Sequence, residues 1–352
     1  MEYLIEFLLF FAKTLIVIIA VVIPIILVAS LASRQRQHQK EHLEINHINR
    51  RYETMSNTIN SAYLSKKEFK DKVKKQKKER KAIAKGKVEP DENKNRIFVL
   101  KFKGDLEASE IDRLREEITA VLTVSEPGDE VVVNVESRGG VIHGYGLAAS
   151  QLKRIKDKGI SLTTAVDKVA ASGGYMMACV ADKIIAAPFA VVGSVGVLAQ
   201  FPNFHKVLEK NDIDFHQYTA GEYKRTVGFF AEPTEQGKAK FVEELNEVHD
   251  LFKDFVQENR PGLDVDKIST GEHWYGTRAL ELNLVDELRT SDDYLLESSE
   301  NSEIYEVKYI IKTPFSERLN PAMATLMKAL LFRKRNLPDT LSPSLDDHIF
   351  PR

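Results

Sequence analysis

The sequence predicts an α/β domain on a mostly parallel sheet with flanking helices, preceded by one transmembrane helix and a basic stalk. Three observations predict it. Apolar, β-rich runs alternate with amphipathic helical runs between residues 96 and about 296, and such repeats bury a parallel sheet between layers of helix. Glycine-bearing turns follow two of the strand runs, at residues 137–140 and 170–174, at the sheet edge where sites in such folds lie. A long uncharged apolar stretch opens the chain.

That stretch, residues 14–33, is mostly Leu, Ile, Val and Ala. A bilayer core needs about 20 such residues in a helix. Residues 7–12 extend the span if Lys13 snorkels, and a membrane helix tolerates Pro24 where neighbours satisfy the freed carbonyl. Val28-Ala29-Ser30 and Leu31-Ala32-Ser33 offer small residues for signal-peptide cleavage. A signal peptide, however, has a basic start and a short apolar run, whereas this start is acidic and the run long. Residues 1–33 therefore read as an uncleaved anchor in the lipid bilayer.

Residues 34–95 read as a stalk. Within 34–88 stand 17 Lys/Arg against 6 Asp/Glu, a surplus of +11. Against a total charge of −2 and a contribution of −1 from residues 1–33, this leaves −12 on residues 89–352. A basic collar thus precedes an acidic body. Residues 41–63 fit an amphipathic helix with Leu43, Ile45, Ile48 and Tyr52, and residues 66–87 are half lysine with scattered acids. A basic run without interleaved aromatics is weak evidence for nucleic acid. Next to an anchor it reads as a solvated linker that senses anionic lipid heads.

The body follows in order. Strands are expected at 97–102, 130–136, 161–166, 183–187 and 214–219, and helices at 109–122, 145–158, 173–180, 203–210 and 234–259, the last stopped by Pro261-Gly262. Residues 96–300 read as one domain and 301–352 as a C-terminal extension, with an edge strand at 305–312 and a short apolar-faced helix at 322–332. Apolar content of 43% and charged content of 29% suit a globular body. The single cysteine, Cys179, excludes an intrachain disulfide or a cysteine cage for a metal, and reads as a small packing residue.

Ser172 stands where a strand ends and a helix begins. Serine is a preferred N-cap residue, and the cap is the ordinary reading of such a position. Gly173 and Gly174 pull against it, because they leave the hydroxyl uncovered and let another backbone approach. Backbone N–H groups at the helix start also suit a developing oxyanion. The turn Arg138-Gly139-Gly140 is either a tight connection or a second backbone donor. A nucleophilic serine needs a base, and two candidates stand open on spacing: His143, beside the glycine turn, and Lys224, in Gly221-Glu222-Tyr223-Lys224-Arg225. Nine histidines are scattered along the chain, and no acid spacing marks an orienting partner for His143. A lysine acts as a base only where burial favours its neutral form, and Phe229 and Phe230 are apolar neighbours that would supply it.

The segments Ala170-Ala171-Ser172-Gly173-Gly174-Tyr175, Val192-Gly193-Ser194-Val195-Gly196-Val197 and Gly221-Glu222-Tyr223-Lys224-Arg225 resemble signal peptide peptidase A and its relatives. His143-Gly144-Tyr145-Gly146-Leu147-Ala148-Ala149-Ser150, Gly271-Glu272-His273-Trp274-Tyr275-Gly276 and the anchor-plus-lysine layout resemble the SohB branch. The resemblance spans residues 96 to about 296. It implies a ClpP/crotonase-like spiral fold and a serine endopeptidase with no metal or cofactor. It also implies that Ser172 is the nucleophile, Lys224 the base, Ser194 the partner of the lysine amine, and the Gly139 and Gly173 N–H groups the oxyanion hole. The substrates it implies are extended peptides such as signal-peptide remnants and membrane-protein segments. Relatives form homo-oligomers with active sites shared between neighbours. One departure stands out: Arg138 replaces the proline usual in the first glycine turn.

A catalytically silent membrane scaffold is the rival reading, discouraged by the intact dyad. An acyl-CoA enzyme using the same oxyanion hole explains neither Ser172 nor Lys224. On location, a bacterial inner membrane follows from the resemblance. The collar beside the anchor favours a cytoplasmic body, while the family layout favours the periplasmic side, which is the expectation adopted.

Overall fold

A computed structural model of the chain describes residues 41–84 and 95–311. Contacts group Leu43–Tyr309 as one unit. The expected anchor at 1–33 and the helix expected at 322–332 lie outside the described residues. Among the described residues, no helix is long and apolar enough to cross a membrane.

The elements run β1 (Glu41–His47), α1 (Ile48–Tyr63), α2 (Lys66–Ala84), β2 (Arg96–Lys103), α3 (Ile111–Val124), β3 (Glu130–Glu136), α4 (Ile142–Asp157), β4 (Ser161–Val166) and β5 (Val169–Ala171). They continue with α5 (Gly173–Ala178), β6 (Lys183–Ala186), β7 (Val191–Gly193), α6 (His205–Lys210), α7 (Glu235–Asn259), α8 (Val265–Ile268) and β8 (His273–Tyr275). The last are α9 (Gly276–Glu281), β9 (Glu287–Leu288), α10 (Ser291–Ser298) and β10 (Glu303–Ile311). Seven strands form the main sheet in the order β1-β10-β2-β3-β4-β6-β9, and a second sheet has the order β5-β7-β8. The pairs β10–β2, β2–β3, β3–β4, β4–β6 and β6–β9 are all parallel. The fold is therefore mixed α/β with a mostly parallel central sheet.

The run Glu130–Glu136 (EVVVNVE) shows why. Val131, Val133 and Val135 enter a large core with Leu114, Ile118, Tyr145 and Leu152, while Val132 enters a second core on the other face. A strand buried on both faces reads as a continuous apolar run, the pattern of parallel sheets. Ile97 and Val99 join Val132, Ala165 and Ile185 on that second face, covered by Ile48 and Tyr52 of α1 and by Tyr294 and Leu295 of α10.

Three expectations change. The stalk does not begin as one helix: residues 41–47 form a strand, and α1 docks Ile48 into the body. Alternating apolar side chains in EHLEINH suit a strand as well as a helix, and pairing with β10 decides between them. The 305–312 strand is not an edge. It starts at Glu303 and sits between β1 and β2, so the body runs past residue 300. Residues 214–219 form no strand and lie exposed; among the described residues no strand pairs with them. The lysine run, read from sequence as a solvated linker, is helical over Lys66–Ala84 as α2, opened by a capping box in which Glu68 accepts from Ser65 N and the Glu68 N–H donates to Ser65 Oγ.

One buried carboxyl gives the body a pH dependence. Glu117 on α3 is 5% exposed and accepts the Tyr309 N–H at 2.8 Å. Burial pushes its pKa up from 4.5 to about 7, against that hydrogen bond, with Glu110 raising it further and Arg113 and Lys308 lowering it. Between these values the folded chain holds a proton that the unfolded chain has released. Stability from this site is thus complete below the unfolded value and is lost as pH rises through about 7. Glu117→Gln keeps an acceptor for Tyr309, so it is expected to stabilise the protein above pH 7 by up to about 3 kcal/mol and to flatten the fall of Tm with pH. Thermal melts from pH 4.5 to 8 check this; a variant Tm that falls as steeply as wild type contradicts it.

Candidate active site

The chain leaves β5 through Ser172 and enters α5 at once. Ser172 has φ 52° and ψ −120°, a left-handed conformation that costs a β-carbon-bearing residue about 1–3 kcal/mol. Its N–H donates to Gly193 O at 2.8 Å, and its carbonyl accepts from Met176 N at 2.9 Å. The side chain makes no capping bond to α5, which removes the N-cap explanation of this serine. A sharp strand-to-helix turn that lifts a hydroxyl clear of its own backbone is the geometry of a nucleophile elbow. Ser172 is half-buried between the buried Ala171 and Gly173, so the hydroxyl stays within reach of a ligand.

The other glycine turn presses against it. The end of β3 bridges to β5 through Ser137 and Ala170, with Ser137 N donating to Val169 O and Ala171 N donating to Ser137 O. Gly139, at φ 86°, lies so close that a Cβ on it would sit 2.7 Å from Gly173 N and 2.7 Å from Ser172 Cβ. A Cβ on Gly173 would meet the Tyr145 ring at 2.3 Å, and one on Gly174 would meet Ser137 O at 2.6 Å. Glycine is required at all three positions by contact, not by turn preference alone. Gly139 N–H donates to Ser137 Oγ at 3.0 Å, so one of the two expected oxyanion donors holds a protein partner in this geometry.

Ser194 follows β7, which pairs with β5 in register Ala171↔Gly193. It too has a positive φ, 53°. Its N–H donates to Glu272 O at 2.6 Å and its hydroxyl to Gly271 O at 3.3 Å. Ser172, Gly139, Gly173 and the Gly193-Ser194 corner are thus brought together. Lys224 is not brought to them. It is exposed, in a segment without strand or helix, with its N–H on Gly221 O at 3.3 Å. Phe229 packs edge-on to Phe201, and Phe230 packs against Phe204 and Phe215, so the expected burial of Lys224 by these rings within its own chain does not occur. His143 is exposed on α4, with no hydrogen bond to Ser172. Cys179 is fully buried, and burial pushes its thiol up to about 12, which makes it inert. Among the described residues no three His, Cys, Asp or Glu side chains gather as metal ligands.

Two residues at the site went unassigned in the sequence. Ser137 and Tyr145 are buried under the turns and hydrogen-bond each other at 2.5 Å. Tyr145 shares a helix face with Ala148, Ala149 and Leu152, a spacing that marks core and nothing more.

Family models match almost the whole length between residues 2 and 304. Peptidase family S49 N-terminal covers residues 2–152, and Peptidase family S49 covers residues 154–304. The chain is 52% identical over 288 residues to Probable protease SohB of Haemophilus influenzae, covering 79% of this chain and 82% of that protein. It is 46% identical over 304 residues to Probable protease SohB of Buchnera aphidicola subsp. Schlechtendalia chinensis, covering 84% and 99%. It is 31% identical over 168 residues to Putative signal peptide peptidase SppA of Enterococcus faecium, covering 47% and 48%.

The strain at Ser172 has a measurable sign. Glycine adopts φ 52° freely, so Ser172→Gly relieves about 1–3 kcal/mol and gives back about 1 kcal/mol in chain entropy. The variant is expected to melt higher than wild type by a net of about 1 kcal/mol. A lower Tm would show that the turn stores no strain.

Proposed function

The chain belongs to peptidase family S49 and is a peptidase; from that membership we propose that it is a membrane-anchored serine endopeptidase of the SohB branch with a Ser172–Lys224 dyad. The observation that carries this reading is the Ser172 turn, strained, uncapped and wedged against a second glycine turn. The parallel main sheet with a small second sheet carrying Ser172 at its edge supports a ClpP/crotonase-like spiral.

In this reading the neutral Lys224 amine takes the Ser172 proton while Oγ attacks the substrate carbonyl carbon. The carbonyl electrons move onto oxygen, facing the N–H groups of Gly173 and Gly139. Gly139 N–H exchanges Ser137 Oγ for the oxyanion, because a hydrogen bond to a charged acceptor is the stronger one. Collapse breaks the C–N bond, and the lysine ammonium gives its proton to the departing amine. Water, deprotonated by the same amine, then attacks the acyl-serine ester, and Ser172 leaves with the proton. Ser194 orients the lysine, trading its bond to Gly271 O for one to Nζ. No step requires a metal or cofactor.

The exposure of Lys224 places a condition on this scheme: the amine needs a cover that its own chain does not give. The surrounding segment offers one side of it. Leu198, Val207, Ile213, Tyr218 and Phe230 are each exposed within residues 198–230, and we read them as part of a surface that meets another protein. We place Lys224 of one copy against Ser172 of its neighbour in a homo-oligomer, where a head-to-tail contact closes into a ring. The apolar run at 14–33 holds the assembly in a bacterial inner membrane with the body on the periplasmic side. The substrates are extended peptides, including signal-peptide remnants and membrane-protein segments.

Ser172→Ala and Lys224→Met are each expected to lower peptide cleavage by at least about a thousandfold without lowering Tm. A fluorophosphonate is expected to label wild type at Ser172 and to leave Ser172→Ala unlabelled. Near wild-type cleavage by either variant contradicts the dyad. Full activity in Lys224→Met together with loss in His143→Ala would move the base to histidine.

A further inference from the structure

A single chain of hydrogen bonds runs from the first glycine turn into the core. Tyr145 OH donates to the Asp105 carbonyl at 2.6 Å. A hydroxyl has one proton, so in the 2.5 Å contact with Ser137 it is Ser137 Oγ that donates and Tyr145 that accepts. Ser137 Oγ in turn accepts Gly139 N–H at 3.0 Å. The order is Gly139 N–H to Ser137 Oγ–H to Tyr145 OH to Asp105 C=O, with every proton assigned in one direction. The far end is fixed as well, since the Asp105 carboxylate accepts both Ser109 N at 2.8 Å and Ser109 Oγ at 2.7 Å.

Tyr145 also holds the other side of the site. Its ring lies where a Cβ on Gly173 would strike it at 2.3 Å, directly under the peptide that follows Ser172. Phe102 packs edge-on to the same ring at 6.1 Å between centroids, and the tyrosine is fully buried. One side chain therefore touches both turns, by ring on the nucleophile side and by hydroxyl, through Ser137, on the side of Gly139.

We propose that Tyr145 and Ser137 are positioning residues that hold the residue 138–140 turn at the distance from Ser172 that oxyanion stabilisation requires. This rests on Ser172 being the nucleophile and deepens that reading. The chain of bonds keeps Gly139 at its positive φ and its turn in place beside Ser172 before substrate arrives, so when negative charge develops the N–H changes partner from Ser137 Oγ to the oxyanion while the turn itself stays where such donors act. Removing the tyrosine hydroxyl leaves Ser137 Oγ–H without its buried acceptor; the serine then turns to a new partner and releases the glycine turn. Because the two hydroxyls act as one device, losing either should cost as much as losing both.

The test uses the full chain in detergent micelles and a fluorophosphonate probe, with saturation labelling kinetics giving the maximal rate kinact and the binding constant KI separately. Tyr145→Phe and Ser137→Ala are each expected to lower kinact about tenfold, part of the hundredfold or more that deletion of one oxyanion donor costs. KI should stay within about twofold, since both side chains are buried and their loss leaves the surface untouched. The double variant is expected to be no slower than the slower single variant. Wild-type kinact in either folded variant overturns the proposal. So does a change confined to KI, or effects that multiply in the double variant. A wild-type chain that is not labelled at Ser172 overturns the nucleophile assignment itself and this proposal with it, a result distinct from normal wild-type labelling with unaffected variants.

Discussion

Residues 137–140 and 170–174 approach until backbone touches backbone, and no side chain fits between them. A Cβ on Gly139, Gly173 or Gly174 would lie between 2.3 and 2.7 Å from a neighbouring atom. The rest of the site follows from this contact. The parallel register of β2, β3 and β4 brings the carboxyl ends of the strands to one edge, and β5 turns out of that edge to pair with β7 instead of continuing the main sheet. The bridge between Ser137 and Ala170 then ties the two sheets where they meet. Ser172 accepts a strained φ because its N–H is fixed on Gly193 O and its neighbour Gly173 is fixed on the Tyr145 ring. Strain persists where the surroundings over-determine it.

Much of the body was legible from side-chain pattern. The strands at 130–136 and 161–166 match the observed β3 and β4, because apolar runs of that length between turn signals have few alternatives. The long helix was legible from its stop at Pro261-Gly262: α7 spans Glu235–Asn259, and Thr234 accepts Gly237 N at its start. What pattern did not show depends on partners distant in sequence. The strands β5, β7 and β8 have three residues each, too few to display a period, and they exist only because they pair with one another. Residues 41–47 became a strand through β10, more than 250 residues away. Residues 214–219 look like a strand, and no strand among the described residues pairs with them.

The site divides the same way. Ser172, Gly173 and Gly139 stand in short contiguous motifs whose local geometry is strongly restricted, and the fold gathers them. Ser137 and Tyr145 were hidden, since a buried serine and a core-face tyrosine gain their role only from each other. Lys224 is the opposite case. Its motif is plain in sequence, and the chain alone leaves it in solvent beside an exposed apolar stretch. In the proposed reading, a base that needs burial and exposed apolar side chains that need covering are answered by the same event, contact with a second copy.

That contact is tested most directly by subunit mixing. Inactive Ser172→Ala chains are combined with inactive Lys224→Met chains, allowed to exchange, and assayed for peptide cleavage. Sites built from two neighbouring chains regain both intact residues in roughly a quarter of cases under random mixing, so activity should return to about that fraction of wild type. A mixture shown to have exchanged subunits and still inactive would contradict a dyad shared between neighbours.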